Sequence, residues 1–316
     1  MKDIIAPVPK ELLKAELTED KRLRFTRRSD NEIYVVTAHE APNVMREIGR
    51  LREIAFRAAG GGTGKDVDID EYDTMEVPYK QLIVWNPENY DIIGGYRFIY
   101  GSDMRYDENG MPMIATAHGM FRFSDKFVKD YLPYTVELGR AFVALEYQST
   151  RMGSKSLFAL DNLWDGLGAL AIVLPGMKYY FGKVTMYPSY PIDARNVILY
   201  FLREQFPDKD KLVEPIEPLV PGGDEEAYKS LFCYDNYKDN YYALKQEVQK
   251  SGVTIPPMVS AYMGLSATMR IFGTAVNYGF GNVEETGLLI AVDELLEEKR
   301  KRYIESFINS NPDAVK

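Results

Sequence analysis

The hydrophobic pattern switches repeatedly between stretches that predict strands and stretches that predict helices. Residues 32 to 40, EIYVVTAHE, are rich in β-branched and aromatic side chains and predict a strand. From 42 to 59, Val44, Ile48, Leu51 and Ala55 recur at helical spacing, and Gly60 to Gly62 end the helix. QLIVWNPENYDIIGGYRFIYG then reads as two strands joined by a polar turn at Asn86, Pro87 and Asn89. PMIATAHGMFRF predicts a further strand, and Ser124 can cap the short helix DKFVKDYL. A strand over 134 to 147 and an apolar helix over 157 to 174, stopped by Pro175, come next. YYFGKVTMY predicts a strand, and Asp193 can cap a helix that runs to Gln205. Helices are expected at 235 to 250 and 257 to 271, a strand at TGLLIAVD, and a final helix at DELLEEKRKRYIESF, whose acids precede its bases as a helix dipole favours. Several strands follow one another directly, so the fold class is α/β with a mixed, partly antiparallel sheet.

Charge breaks this pattern where a core is expected. Arg52 lies in the first long helix, Asp70 and Asp73 in DIDEYD, and Arg97 inside the strand IIGGYRFIY. Glu137 and Arg140 interrupt LPYTVELGRAFVALEYQ, beside the apolar Val136, Leu138 and Phe142. A buried charge is costly unless paired, so such residues either form a structural ion network or line a functional cleft. In a regular strand Glu137 and Arg140 would face opposite sides. Bringing both to one site requires a bulge, for which Gly139 is the obvious place.

Composition narrows the function. A chain of 316 residues with 46% hydrophobic content can build a substantial core, as one large domain or two small ones. A net charge of −9 argues against general nucleic-acid binding, which needs a broad cationic surface. The bases are nonetheless clustered: Lys21, Arg22, Arg24, Arg27 and Arg28, then Arg46, Arg50, Arg52 and Arg57. Such a patch is either a solvated face or a dock for an acidic partner or anionic headgroups. The lone Cys233 rules out a disulfide framework within the chain. No signal-peptide h-region and no run of ~20 apolar residues is present, which predicts a cytoplasmic protein.

Several chemistries lack their residues. GGGTGK at 60 to 65 has alanine and aspartate where a P-loop needs glycine and Ser/Thr. Two histidines, His39 and His118, leave no histidine-rich metal site, and one cysteine leaves no cysteine pair for zinc. His118 is either a general base or a satisfied structural residue. No G-x-S-x-G occurs. Any catalysis therefore rests on carboxylates, arginines and backbone.

RLREIAFRAAG, DIDEYD, QLIVWNPENYDIIGGYRF, YLPYTVELGRAFV and FGKVTMYP, in this order over 32 to 206, resemble bacterial acyl-carrier-protein-dependent N-acyltransferases of the GNAT superfamily. These make aminolipids such as ornithine lipids and N-acyl glycines. PPMVSAYMGLSATMRIFGTAVNYGFGNVEETGLLIAVD resembles the C-terminal part of the same group, and the length and tyrosine content are most similar to its glycine N-acyltransferases. More distantly, the Arg, Asp-x-x-Asp, Arg, Glu-x-x-Arg order resembles acyl-homoserine lactone synthases.

The resemblance implies a GNAT-like acyltransferase fold whose sheet splays between its fourth and fifth strands, here 134 to 147 and 179 to 187. It divides the chain into a basic extension (1–31), a core (32–206), a Pro/Gly-rich linker (207–230) and a C-terminal extension (231–316). It implies transfer of a long, 3-hydroxylated acyl group from acyl carrier protein to an amino acid, with glycine first and ornithine the alternative. Catalysis would fall to Glu137, Arg140 and Arg97, with Glu137 as base and an arginine fork for the acceptor's carboxylate. Arg52, Asp70, Asp73, Gly139 and Phe142 would shape the substrate site. Acyl-phosphopantetheine on the carrier, or acyl-CoA, would be the co-substrate, with no tightly bound cofactor or metal. Acyl carrier proteins are acidic, so Lys21, Arg22, Arg24, Arg27, Arg28, Arg46, Arg50 and Arg57 become docking groups, and a peripheral contact with the membrane surface fits the lipid product. QSTRMGSKS stands where acetyl-CoA GNATs have a glycine-rich pyrophosphate loop, and it offers only Gly153. An acetyl-CoA-dependent acetyltransferase and a non-catalytic GNAT-like binding domain remain the rival readings.

Overall fold

A computed structural model of the chain describes residues 1–117, 119–148 and 158–315. His118 and all of QSTRMGSKS except Gln148, including Gly153, lie outside the described residues. Among the described residues eight strands form one mixed sheet, in the order β1-β2-β3-β4-β6-β7-β10-β9. They are β1 (Arg22–Phe25), β2 (Glu32–Val36), β3 (Lys80–Asn86), β4 (Asp91–Tyr100), β6 (Thr135–Val143), β7 (Tyr179–Met186), β9 (Arg270–Asn277) and β10 (Val283–Ala291). A two-stranded ribbon joins β5 (Phe121–Phe123) to β8 (Val213–Pro215). Residues 1–31 and 231–316 thus supply strands to the same sheet as the segment between them. Every pairing in the large sheet is antiparallel except that of β6 with β7.

That parallel pair is short. Thr135, Val136 and Glu137 pair with Tyr179, Tyr180 and Phe181, and there the ladder stops. Beyond Glu137, β6 stays with β4 while β7 stays with β10 along its length. The sheet opens into a fork between the two strands expected to part.

The expected bulge in β6 is present, but its centre is not Gly139. Between the pairs Gly95–Phe142 and Arg97–Gly139, β6 carries one more residue than β4. Arg140 takes the left-handed backbone conformation there, at φ 49°, whereas Gly139 does not. On the facing strand, a Cβ at Gly94 would lie 2.5 Å from the carbonyl oxygen of Phe142, so only glycine lets the distorted strand approach so closely.

The helix Pro42–Ala59 matches the expected span and ends at Gly60 in the left-handed conformation. The apolar helix Ala159–Val173 packs on the other face of the sheet, where Leu163, Leu167 and Leu170 join the main core. Three expectations need correction. The strand expected at 112 to 123 is reduced to Phe121–Phe123, because Ala115 N and Thr116 N bond the Tyr79 hydroxyl and the Glu137 carboxylate, and Ile114 N and Ala117 N bond carbonyls within local turns, instead of a neighbouring strand. The helix expected at 257 to 271 stops at Met263, and Arg270–Asn277 becomes an edge strand because β10 offers it a partner. In the helix Ile192–Gln205 the N-cap position is Pro191, which makes no side-chain cap, and Asp193 lies inside the first turn. Ser124 does cap its helix, accepting from Phe127 N at 3.1 Å. Among the described residues no helix is long and apolar enough to cross a membrane.

Candidate active site

The register decides which side chains share the fork. Across the sheet, Ile99, Glu137, Phe181 and Leu289 lie in one row; two residues on, the pair Arg97–Gly139 stands on one side of the opening and the pair Lys183–Gly287 on the other. The floor beneath is aromatic, with Phe127 and Phe181 ring centroids 5.5 Å apart. The irregular segment before β5 closes over it and brings Thr116 to Glu137.

Glu137 is only 2% exposed. One carboxylate oxygen accepts from Thr116 N at 3.0 Å and from the Thr116 hydroxyl, and the other accepts from the Tyr79 hydroxyl. Tyr79 in turn accepts from Ala115 N at 3.0 Å. Burial pushes the Glu137 carboxyl above the usual glutamate range, against the pull of the Thr116 and Tyr79 hydroxyls and the charges of Lys183 and Arg97. Burial, followed by the charge on Glu137, holds the Tyr79 phenol well above its ordinary value, so it remains a donor.

Behind Glu137 lies a buried ion network. Arg52 is fully buried and reaches Asp73 at 3.3 Å, the Asp68 carbonyl at 3.5 Å and Gln81 Oε1 at 2.5 Å. Arg97 binds Asp70 at 2.7 Å and Asp73 at 3.3 Å, with its guanidinium 5.2 Å from the centre of the Tyr79 ring. Arg140 binds Asp68 at 2.8 Å and approaches Asp70 at 3.6 Å, above the ring of Phe280. Burial opposes the charge on Asp73, yet Arg52 and Arg97 hold its pKa down to about 2. Burial also works against Arg97, but Asp73 and Asp70 more than compensate and raise it above the ordinary guanidinium value. Three arginines face three aspartates, so the set is balanced and anchors helix, loop, β4 and β6 to one another.

A cavity of about 130 Å³ opens at the fork. Glu137, Gly139, Arg97 and Arg140 line it, whereas Arg52, Asp70 and Asp73 stand behind it as supports. Phe142 points away into the core, where its ring packs on Gly95, so it does not form the cavity wall expected of it. Opposite Glu137 the wall carries an ion pair between Lys183 of β7 and Glu285 of β10. Met258 and Tyr262, from the helix Pro257–Met263, close one side. Leu138 and Tyr262 also line a separate, wholly apolar pocket with Trp164, Leu167 and Ile290.

Sequence reasoning passed over Asp68, Tyr79, Gln81, Thr116, Lys183 and Glu285. Lys183 could have been found, because it interrupts YYFGKVTMY as Arg97 interrupts its own strand. Tyr79 and Thr116 carried no comparable signal. The basic residues proposed for docking are placed differently from one another. Arg24 is buried against the carbonyls of Asp165 and Tyr303, and Arg22, Arg27, Arg50 and Arg57 pair with Glu32, Asp165, Glu47 and Glu53. Arg28 and Arg46 are exposed, and Lys21 is half-buried.

Residues 51–156 match the model of the acetyltransferase (GNAT) domain. Over all 316 residues the chain is 66% identical to glycine N(alpha)-acyltransferases of Phocaeicola vulgatus and Bacteroides thetaiotaomicron, covering 97% and 94% of those proteins. The chain belongs to the GNAT acyltransferases. A solved structure of a CoA-dependent acyl-homoserine lactone synthase with MTA is also similar, at 10% identity and a TM-score of 0.39, with 89% of each chain covered. In this GNAT acyltransferase the matched segment holds every arginine and aspartate of the network, together with Glu137. It ends before Lys183 and Glu285, so the facing wall comes from strands beyond the matched domain.

Proposed function

We propose that this acyltransferase moves a long-chain, 3-hydroxylated acyl group from acyl carrier protein to the amine of glycine, forming an N-acyl glycine for aminolipid synthesis. The carrying observation is the position of Glu137, a buried carboxylate lining the cavity at the point where β6 leaves β7. The glycine N(alpha)-acyltransferase names of the two relatives favour glycine as acceptor.

The thioester lies in the fork where β6 leaves β7. Glycine's ammonium gives one proton to Glu137, which burial makes a stronger base than an ordinary glutamate. The free amine attacks the thioester carbonyl, and backbone N–H groups of β6 past the end of its β7 pairing stabilise the oxyanion. The new C–N bond displaces the carrier thiolate, which takes the second ammonium proton. Of the basic residues expected to dock an acidic carrier, Arg28 and Arg46 are exposed and are the ones offered to it.

Purified protein incubated with 3-hydroxypalmitoyl acyl carrier protein and glycine, ornithine or serine tests this by mass spectrometry. The expected product is N-(3-hydroxypalmitoyl)glycine. Turnover of the CoA ester but not of the carrier-bound acyl group would reassign the donor, and acylation of ornithine in preference to glycine would reassign the acceptor.

A further inference from the structure

The cations at the fork are not equivalent. Arg52, Arg97 and Arg140 are held by Asp68, Asp70 and Asp73, in a network whose charges balance. Lys183 lies outside that network. It lines the cavity, pairs with Glu285, and among the described residues otherwise meets the weakly accepting Met120 Sδ at 3.6 Å. A lysine ammonium has three donors, and one carboxylate does not use them all. Its charge acts on Glu137 across the fork.

The register fixes its distance from the base. Glu137 pairs with Phe181, and Lys183 is two residues further along β7 on the same face, about 7 Å along the strand. Lys183 and Glu137 both line the cavity, so the space between them is open to a small ligand. A zwitterion entering here meets a carboxylate at one end and an ammonium at the other. Glu137 and Glu285 together exceed Lys183 by one negative charge, which compensates the acceptor's ammonium.

We propose that Lys183, held in place by Glu285, binds the carboxylate of the amino-acid acceptor and so directs its amine to Glu137. The inference rests on the acceptor being an amino acid. It assigns to β7 and β10, outside the matched GNAT segment, the contact that separates an amino acid from a simple amine. The acceptor nitrogen loses one proton to Glu137 and forms the amide as described above, while its carboxylate stays ionised on Lys183 throughout.

The experiment compares glycine with glycinamide, which carries a neutral amide in place of the carboxylate, at fixed acyl donor. Lys183→Met should lower the ratio of kcat/KM for glycine to that for glycinamide by about 10- to 100-fold, the worth of one charge-assisted hydrogen bond. Most of the change should appear in KM for glycine, with KM for the acyl donor unmoved. Lys183→Arg should keep part of the preference. If Lys183→Met leaves Glu285 unpaired and the protein does not fold, the double variant Lys183→Met with Glu285→Gln removes both charges and should show the same loss of preference. Equal losses for glycine and glycinamide would make Lys183 a structural partner of Glu285 and overturn the proposal. A wild-type protein that acylates no amino acid would instead remove the reading on which it rests, and that result is seen before any variant is compared.

Discussion

Replacing Glu137 with glutamine separates its chemistry from its packing. Glutamine has the same shape, and its Oε1 can keep both bonds from Thr116. The change falls on the oxygen that accepts from Tyr79, which becomes an NH₂ group facing a hydroxyl that already accepts from Ala115 N. One charge-assisted hydrogen bond is lost, worth about 1.5 to 3 kcal/mol. Part of that loss is offset because a carboxylate whose charge burial disfavours is no longer there. Folding stability should therefore move by only about 1 kcal/mol. Loss of a positioned base should lower kcat/KM by about 10² to 10⁴, or roughly 3 to 5 kcal/mol of barrier. The two effects are read on one preparation, stability by thermal unfolding and activity by release of the carrier thiol. The pH profile adds a sign. The base works deprotonated, so wild-type kcat/KM rises with pH through a pKa above the ordinary 4.5, and the variant should lack that rise. A folded Glu137→Gln protein within about fivefold of wild type, with the acid limb intact, would refute the assignment and leave Glu137 a structural acceptor for Tyr79 and Thr116.

Three further outcomes are expected. Tyr79→Phe removes a donor that favours the charged carboxylate, so the acid limb should move to higher pH; an unmoved limb would separate Tyr79 from the base. Asp73→Asn leaves Arg52 and Arg97 short of an anion in a buried site and should cost about 3 to 5 kcal/mol in urea unfolding, with a loss below about 1 kcal/mol counting against the network. Because the Asp73 pKa is lowered in the fold, its contribution is present above 3.8 and disappears as pH falls through about 2; that acid dependence should be missing from the variant. Gly168→Ala would set a methyl 2.4 Å from the carbonyl oxygen of Tyr303, so the C-terminal helical segment must shift, costing about 1 to 3 kcal/mol. Limited proteolysis should then cut within residues 297–310 sooner than in wild type, and unchanged kinetics would show that the segment does not depend on that contact.

The amino-acid sequence by itself determined what periodicity and cost can report. Helical spacing of Val44, Ile48, Leu51 and Ala55 predicted the helix Pro42–Ala59 at its observed bounds, because an amphipathic stripe and a glycine stop are both local. The high cost of burying charge marked Arg52, Asp70, Asp73, Arg97, Glu137 and Arg140; Arg52, Asp73, Arg97 and Glu137 are buried, and Asp70 and Arg140 are half-buried. Glu137 and Arg140, three residues apart in a strand, required a bulge for one site, and the bulge is there.

Only the tertiary structure decided how those charges are satisfied and which of them face the cavity. Gly139 looked like the bulge residue from its lack of a side chain, but pairing with Asp68 and packing on Phe280 hold Arg140 in the left-handed conformation instead. Arg270–Asn277 became a strand because β10 lies beside it, a partner that no local window contains. Tyr79 and Thr116 reach Glu137 from 58 and 21 residues away, and neither interrupts a pattern in its own segment. Lys183 and Glu285 meet across 102 positions of sequence (285 − 183) because β7 and β10 are antiparallel neighbours. Local sequence records the cost of a buried charge, while the partner that offsets that cost is chosen by strand order and register.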